Sequence, residues 1–464
     1  MTESYDVVIV GGGPAGIFTA LELSQSSQMK VLLLEKGQDL NRRHCPGSSG
    51  YSSCMTCSTC AMVSGWGGAG AYSDGKLTLS PEIGGQLQKY IGHNSLSELI
   101  DYVDQRYVDF GATNQLYGIG PGIQGIRQKA EKCGMRLISM PIRHLGTERC
   151  YHILHDMHDY LSDRIDISTD TVVSSIQTEG GKATGIILDD GRFIQASYVV
   201  VAPGREGSDW LFREANMMGL TMHSNPVDLG LRVEVAQEVL SELTEILYEP
   251  KLEYWSTVFN DRIRTFCVCP AGEVTMESTG GEDPIVTVNG HSYADRKTDQ
   301  TNFALLGSAK FGDPFRDPIT YGRSIAKLAN LLADGVLMQR YEDLQNGHCS
   351  QVSQIDKWRI RPTLLAATPG DINAVLPYRF LQGIKEMLLA MDQLAPGIAS
   401  PDTLLYGIEV KFYSSRIHLS SCLETEIGSL FAIGDGAGIT RGLVQASASG
   451  VVAAREILRR TCTS

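Results

Sequence analysis

Four cysteines near the start of the chain have the type and spacing of a redox or metal site. Cys45, Cys54, Cys57 and Cys60 fall within 16 residues of a 464-residue chain that holds 11 cysteines. Thiolates at this spacing suit an iron–sulfur cluster, a structural zinc or redox-active thiols, and inert core residues are the fourth interpretation. The pair Cys267 and Cys269 could take part in any of the first three.

A glycine-rich segment follows the cysteines. Residues Gly65–Gly75, called the glycine segment below, contain five glycines in eleven positions. This composition predicts an irregular loop rather than a helix or strand, with a backbone that can lie flat against a large planar group. A connecting surface loop is the alternative interpretation. Gly68, Ala69 and Gly70 are therefore candidate contacts to a flat ring.

Candidate catalytic groups stand at the end of this segment and further along the chain. Ser73, Asp74 and Lys76 follow the glycines directly and would lie beside a bound ring. His291 and His144 are acid–base candidates because an imidazole titrates near neutrality. A histidine with a purely structural role is the alternative at both positions.

The elements that must position these residues begin at the N-terminus. Val7–Val10 is an apolar run typical of a buried strand, and Gly11, Gly13 and Gly16 follow it before a helical pattern. In a dinucleotide-binding turn the first glycine permits the tight turn, the second admits a pyrophosphate, and the third lets the helix pack on the strand. The helix N-terminus also attracts phosphate. The predicted contacts are Gly11, Gly13, Pro14, Ala15 and Gly16.

A second apolar run leads to an acidic residue. Val31–Leu34 predicts another buried strand, and Glu35 follows it, 19 residues after Gly16. An acid at this place accepts hydrogen bonds from ribose hydroxyls and disfavours the 2′-phosphate of NADP. Glu35 and the neighbouring Lys36 are therefore candidate nucleotide contacts.

Two later junctions between strand and turn favour FAD over NAD. Tyr198–Gly204 ends an apolar strand in Ala-Pro-Gly, and Leu430–Ile433 runs into a Gly-Asp turn before a long apolar helix. The second junction resembles the second fingerprint of glutathione-reductase-type flavoproteins, in which the aspartate, Asp435 in this chain, holds a ribityl or ribose hydroxyl. Arg205 is a candidate phosphate contact. The other contacts predicted from these junctions are Ala202, Gly204, Gly434, Gly438 and Arg441.

One further glycine motif is interpreted differently. Gly120–Gly125 formally repeats the pattern of the first turn, but no apolar strand precedes it. The segment therefore predicts a loop that enters a helix near residues 123–133, rather than a nicotinamide site.

Several longer segments of the sequence resemble those of one protein family. The chain is similar over nearly its full length to largely uncharacterised bacterial FAD-dependent dehydrogenases among the two-dinucleotide-binding-domain flavoproteins. The matching words are the cysteine segment, Gly67–Lys76, Arg143–Thr147, Asp228–Glu234, Thr265–Pro270, Val288–Ser292, Thr301–Ala304 and Gly434–Gly442. The resemblance implies an FAD-dependent oxidoreductase. The main functional hypothesis is that it transfers hydride between flavin N5 and an unidentified small molecule.

The predicted fold class is α/β with two domains. A Rossmann-like FAD-binding domain with a parallel sheet would comprise residues 1–85, 130–215 and 405–464. An α+β substrate or cap domain with a mixed or antiparallel sheet would comprise residues 86–129 and 216–404. Helical spacing near 318–333 and 377–392 places two helices in the second domain.

Charge and hydropathy exclude other classes. The 40 basic and 53 acidic residues give a net charge of −13, which argues against nucleic-acid binding. No stretch reaches the ~18 apolar residues of a membrane span, and no signal peptide is visible, so a cytoplasmic enzyme is expected. A flavin monooxygenase using NAD(P)H and oxygen, a flavin or thiol redox sensor, and a tRNA-modification-type protein are the alternatives. NAD(P)H as external donor and an electron-transfer partner stay open.

Overall fold

The computed structural model describes residues 3–26, 28–45, 57, 59–73, 75–138, 140–279, 284–292, 297–309, 317–333, 335–412 and 415–462. Its strands up to residue 225 are β1 Glu3–Val10, β2 Val31–Leu34, β3 Lys76–Thr78, β4 Met135–Ile138, β5 Ile142–His144, β6 Asp166–Ser168, β7 Val173–Glu179, β8 Lys182–Leu188, β9 Phe193–Val201 and β10 Met222–His223. Those that follow are β11 Val227–Ala236, β12 Lys251–Trp255, β13 Arg262–Cys269, β14 Glu273–Thr279, β15 Ile285–His291, β16 Gln300–Ala309, β17 Leu337–Arg340, β18 Thr368–Pro369, β19 Leu404–Lys411, β20 Arg416–Ile417 and β21 Leu430–Ala432.

The helices lie along the whole length of the chain. In chain order they are α1 Pro14–Leu23, α2 Gln88–Ile91, α3 His93–Asp109, α4 Gly122–Lys132, α5 Thr147–Ser162, α6 Ser208–Met217, α7 Gln237–Leu247, α8 Pro318–Ala333, α9 Tyr341–Asn346, α10 Tyr378–Leu394 and α11 Leu443–Cys462. Among the described residues, no helix is both long and apolar enough to cross a membrane.

The chain divides into two compact units. Unit 1 comprises Met1–Gln115, Ile142–Asn225 and Ser414–Ser464, and unit 2 comprises Leu116–Pro141 and Pro226–Tyr413. These bounds differ from the sequence prediction in four stretches of chain. Residues 216–225 belong to unit 1 and residues 405–413 to unit 2, the reverse of the prediction. Residues 86–115 pack with unit 1 rather than with the second domain, and residues 130–141 pack with unit 2 rather than with the first.

Unit 1 is built on a sheet that is parallel at its centre. Within the described residues the sheet has seven strands in the order β6-β2-β1-β9-β8-β7, and β21 also pairs with β9. Strands β2, β1, β9 and β21 run parallel, so their carboxyl ends lie at one edge. Val7–Val10 is buried, as a central parallel strand requires. Helices α1 and α11 pack against each other beside this sheet.

Unit 2 is built on a largely antiparallel sheet. Its eight strands among the described residues follow the order β18-β17-β19-β11-β16-β13-β12-β4. Along β11 the apolar residues Leu229, Leu231 and Val233 join the core, while the alternating Asp228 and Arg232 belong to the opposite face. The prediction of a Rossmann-like sheet plus a second, mixed-sheet domain is therefore confirmed.

Local predictions differ in outcome. The helix expected near residues 123–133 is α4, and the helices expected near 318–333 and 377–392 are α8 and α10. The glycine segment is not a loop throughout, because Gly68–Tyr72 forms a 3₁₀ turn. Gly67 at φ +85° begins this turn, and Ala69, Ala71 and Tyr72 supply side chains that a run of glycine alone would lack.

Candidate functional site

Three strand-to-turn junctions meet at one edge of the sheet in unit 1. Gly11 follows β1 with φ +116°, and a Cβ at this position would lie 2.2 Å from the carbonyl oxygen of Ala202, which follows β9. A Cβ at Gly16 would lie 1.9 Å from the carbonyl oxygen of Gly11. Both positions therefore admit only glycine, for the reasons that a dinucleotide-binding turn requires.

Gly13 differs from its neighbours because a Cβ at this position would clash with no atom. A Cβ there would find its nearest atom, the Cα of Gly68, at 3.9 Å. Gly13 is also the residue that precedes helix α1, with Pro14 at the first helical position. The backbone at Gly13 and the start of α1, called the cradle below, are suited to contact a phosphate group, because free N–H groups at a helix start attract anions.

The glycine segment lies directly on this turn. The backbone N–H of Gly67 donates to the carbonyl oxygen of Gly12 at 2.8 Å. A Cβ at Gly70 would meet the side chain of Leu443 at 2.7 Å and that of Pro14 at 3.6 Å. The sequence predicted that the glycine segment and the turn after β1 contact the same ligand. In the structure the two segments also contact each other directly.

The Glu35 carboxylate anchors the same region. It is 6% exposed and accepts backbone N–H bonds from Gly12 at 2.7 Å, Gly37 at 2.8 Å and Gly65 at 2.8 Å. A carboxylate offers about four acceptor positions, so one is left for a ribose hydroxyl. The adjacent Lys36 pairs with Glu206, and burial lowers the pKa of the Lys36 ammonium group.

Arg43 was not singled out from the sequence. The residue is 5% exposed, and its guanidinium makes five hydrogen bonds to backbone carbonyl oxygens. Those carbonyls belong to Ala61, Met62, Trp66 and Gly68, at distances from 2.6 to 3.2 Å. Burial lowers the pKa of Arg43, and the nearby Tyr72 and Glu35 act in the opposite direction by raising it. No local sequence pattern signals this role, because the acceptors are main-chain atoms.

The third junction follows β21. A Cβ at Gly434 would lie 3.0 Å from that of Ala15, and one at Gly436 would lie 2.6 Å from the carbonyl oxygen of Gly204. Gly434 and Gly438 both have left-handed backbones, with φ +73° and +75°. The turn after β21 therefore lies against both the first helix and the turn after β9, as one compact binding edge.

Asp435 carries the charge of this turn. Its carboxylate accepts from Thr440 Oγ1 at 2.8 Å, and Arg205 Nε stands 4.0 Å away. Burial raises the pKa of Asp435, against the opposing charges of Arg205 and Arg441. Arg441 lies at the same turn, where its backbone N–H donates to the carbonyl oxygen of Gly84 at 2.6 Å. A partly desolvated carboxylate of this kind is suited to accept a hydroxyl hydrogen bond.

The candidate catalytic residues belong to both units. Ser73 Oγ donates to the carbonyl oxygen of Gly70 at 2.8 Å and accepts from the backbone N–H of Gly75 at 3.2 Å, so it closes the 3₁₀ turn. Lys76 begins β3 opposite His144 on β5, in unit 1. His291 ends β15 in unit 2, opposite Glu273. Asp74 lies outside the described residues.

The cysteine segment is described only in part. Cys45 and Cys60 are half-buried and Cys57 is exposed, while Cys54 lies outside the described residues. Within the part of the chain that the structure describes, no three histidine, cysteine or acidic side chains are arranged to hold a metal ion. The iron–sulfur and zinc hypotheses therefore gain no support from these residues.

Two family models match the sequence. Residues 6–107 match the family described as FAD dependent oxidoreductase, and residues 226–412 match the family described as FAD-dependent protein, C-terminal domain-like. A protein of Clostridium beijerinckii, named only as an uncharacterised protein, is 25% identical over 479 residues, which cover 98% of this chain and 80% of that protein.

Solved structures of flavoenzymes are similar at low identity. Quinol fumarate reductase from E. coli is 14% identical, with a TM-score of 0.42 over 100% of this chain and 71% of that one. Glycine oxidase from Geobacillus kaustophilus is 14% identical, with a TM-score of 0.39 over 99% and 95% of the two chains. L-proline dehydrogenase from P. horikoshii is 12% identical, with a TM-score of 0.40 over 99% and 95%.

The family descriptions agree with the chemistry of the edge in unit 1. Both name FAD, and the matched residues 6–107 include the first turn, Glu35 and the glycine segment. Neither description names a substrate. On these matches the chain is an FAD-dependent oxidoreductase, and its substrate is unidentified.

Proposed function

We propose that the chain is a dehydrogenase or reductase that transfers a hydride between a small organic substrate and flavin N5, in the manner of two-dinucleotide-binding-domain flavoproteins. FAD supplies the hydride-accepting ring, and the protein supplies binding, orientation and electrostatics. One observation carries the proposal. Three junctions far apart in sequence meet at one sheet edge, where a Cβ would clash at Gly11 and Gly16 but not at Gly13.

Each residue of the edge has a proposed task. The open backbone at Gly13 and the N-terminus of α1 would bind the pyrophosphate, since free N–H groups and the helix dipole favour anions. Glu35 would accept from the adenosine ribose through its remaining acceptor position. Asp435 would accept from a ribityl or ribose hydroxyl. Arg441 would add positive charge at the same turn.

Three of the groups proposed to act on the substrate, Ser73, Asp74 and Lys76, stand at the end of the glycine segment or directly after it. Lys76 on β3 would place an ammonium group beside the reacting ring, where it favours developing negative charge. Ser73 and Asp74 would act with it, and His291 on β15 would transfer a proton. A Lys76→Met variant should lower turnover at least tenfold with unchanged FAD content, and Lys76→Arg should restore part of it.

The binding proposal is tested by filling the cradle. In Gly13→Val the new side chain enters the space that the pyrophosphate needs, so the purified protein should retain less than about a tenth of the wild-type FAD. Gly125→Val is the matched control, because Gly125 lies within α4 with open space around it. FAD is measured by absorbance and chromatography of the released cofactor. Full FAD retention by Gly13→Val would contradict the proposed cradle.

The reaction class is tested by following oxygen. A dehydrogenase or reductase should exchange electrons with NADH, NADPH or an artificial acceptor without inserting oxygen into its organic substrate. Screening substrates under labelled oxygen, with mass spectrometry of the products, checks this. Labelled oxygen in a product would instead identify a monooxygenase. If the protein exchanges electrons with an artificial dye but no organic substrate in the screen reduces or reoxidises it, the result would favour a redox sensor.

A further inference from the structure

Two cysteines of unit 2 face each other at an irregularity in β13. Cys267 Sγ and Cys269 Sγ are 3.8 Å apart, and neither is in a disulfide. The pairing of β13 with β16 shifts between Phe266 and Cys269, and Cys267 adopts a left-handed backbone with φ +46°. In a regular strand, residues two apart are separated by about 6.8 Å, at the upper limit for a disulfide. The bulge is what brings these sulfurs together.

The local backbone is strained for a residue that is not glycine. Left-handed conformations of such residues persist only where the surrounding structure enforces them, and they cluster at functional sites. At Cys267 the enforcement comes partly from Arg232, whose Nη1 donates to the carbonyl oxygen of Cys267 at 3.2 Å. Cys269 Sγ lies 3.5 Å from the same carbonyl oxygen.

Arg232 gives the site a positive charge. It is fully buried, and it donates to Glu409 at 2.8 and 2.9 Å and to Asn302 Oδ1 at 2.7 Å. Burial alone would lower the pKa of Arg232, but Glu409 and Cys267 raise it, so the guanidinium stays charged. Lys411 Nζ stands 3.3 Å from the same Glu409. Lys411 Nζ also stands 3.6 Å from Glu277, so its charge is shared between two carboxylates. The cation that favours a thiolate is therefore the guanidinium of Arg232, which is hydrogen-bonded to the carbonyl oxygen of Cys267.

A buried donor lies on the same face. Asn302 pairs directly opposite Cys269 in the register of β13 and β16, and opposite residues project to the same side of a sheet. Its Nδ2 is buried and has no hydrogen-bond partner among the described residues. A buried amide N–H without an acceptor is costly, and a sulfur that carries negative charge would supply one.

The two thiols also differ in access. Cys267 is half-buried, whereas Cys269 is only 1% exposed. An accessible thiol beside positive charge, with a second thiol buried behind it, is the arrangement of an attacking and a resolving cysteine.

We infer that Cys267 and Cys269 form a redox-active dithiol that exchanges with low-molecular-weight disulfides. The Cys267 thiolate attacks one sulfur of the external disulfide, so a mixed disulfide forms and one thiolate leaves, taking up a proton. The Cys269 thiolate then attacks Cys267 Sγ, which forms the intramolecular disulfide and releases the second thiol. Two protein thiols are oxidised and one external disulfide is reduced to two thiols. The site lies within unit 2, and this thiol exchange is an activity beyond the proposed hydride transfer.

The test uses the full-length holoenzyme and oxidised glutathione. Protein reduced with excess dithiol is equilibrated at graded ratios of reduced to oxidised glutathione, alkylated, digested and weighed by mass spectrometry. The peptide containing both cysteines should lose two hydrogens and escape alkylation, reversibly, at least about tenfold faster than the exposed Cys349 acquires glutathione. Cys269→Ala should instead trap one glutathione on Cys267. Cys349→Ser is the matched control and should leave the disulfide unchanged.

Two results would overturn the inference. One is a wild-type protein in which both thiols are still alkylated after equilibration with excess oxidised glutathione. The other is a folded Cys269→Ala variant that carries no glutathione on Cys267. The wild-type measurement decides the matter even if the variant fails to fold.

Discussion

Among single residues, Arg43 determines the shape of the glycine segment most directly. Hydrogen bonds to charged groups contribute about 1.5–3 kcal/mol each, and Arg43 makes five to main-chain carbonyls. Arg43→Met should therefore lower the free energy of unfolding by at least about 3 kcal/mol in urea titrations and reduce FAD retention. Arg42→Met is the control, because Arg42 makes an exposed ion pair with Asp170 and should cost under about 1 kcal/mol. Equal losses in the two variants would refute this role.

Asp435 differs from Arg43, because its replacement should raise the stability of the protein while it weakens FAD binding. Burial raises its pKa above the ordinary 3.8, so the folded protein favours the neutral carboxyl. The contribution of Asp435 to stability is thus present in full below 3.8 and is lost as the pH rises through the folded-state pKa. FAD-free Asp435→Asn should therefore gain stability relative to wild type with rising pH, while retaining less FAD. Urea titrations across this range check the sign, and a parallel pH course for both proteins would contradict it.

Glu456 provides the contrasting sign at the same scale. Hydrogen bonds from Arg459 and Arg460 lower its pKa to about 2. Its contribution is present above the ordinary value of 4.5 and is lost as the pH falls toward 2. Glu456→Gln should therefore be less stable than wild type at neutral pH, and this difference in the free energy of unfolding should disappear in acid. The pH dependence is the reverse of that expected for Asp435→Asn.

At the scale of elements, the sequence predicted what local patterns specify. Strands β1, β2, β9 and β21 and helix α11 follow from apolar runs and from glycines whose tasks are local. The bulge at Cys267 and the four carbonyls around Arg43 could not be predicted, because strand register and main-chain acceptors depend on residues distant in sequence. The turns after β9 and β21 were predicted only as separate contacts to a ligand, whereas in the structure they pack against each other at Gly204 and Gly436.

The packing of α11 on α1 depends on one glycine. A Cβ at Gly450 would lie 2.2 Å from the carbonyl oxygen of Ala15 and 2.9 Å from the backbone nitrogen of Thr19. Gly450→Ala should destabilise the protein by about 1–3 kcal/mol through overpacking and displace the start of α1. Gly125→Ala, a helical glycine with open space, should be neutral or gain up to about 1 kcal/mol. Thermal unfolding of both variants measures the difference, and a neutral Gly450→Ala would contradict the close contact.

At the scale of the whole molecule, each unit is assembled from separated stretches of chain. Residues 116–141 leave unit 1 to pack in unit 2, where β4 pairs with β12. The sequence predicts this crossing at residues 86–129, because β4 is only four residues long and its partner lies more than 110 residues away. Short strands carry little local signal, so their partners decide where they belong.

The discontinuity of unit 1 leads to a prediction about the bound state. If one FAD molecule is held by the turn at Gly11–Gly16, the glycine segment and the turn at Gly434–Gly442, then binding must order all three together. FAD added to cofactor-free protein should therefore slow amide hydrogen exchange in these three segments at the same ligand concentration, although they are far apart in sequence. FAD at 100 times its Kd should also add about 2.7 kcal/mol to the free energy of unfolding. Gly13→Val should remove protection from all three segments, because each depends on the same ligand. Protection confined to Gly11–Gly16 would mean that the other two segments serve only the fold.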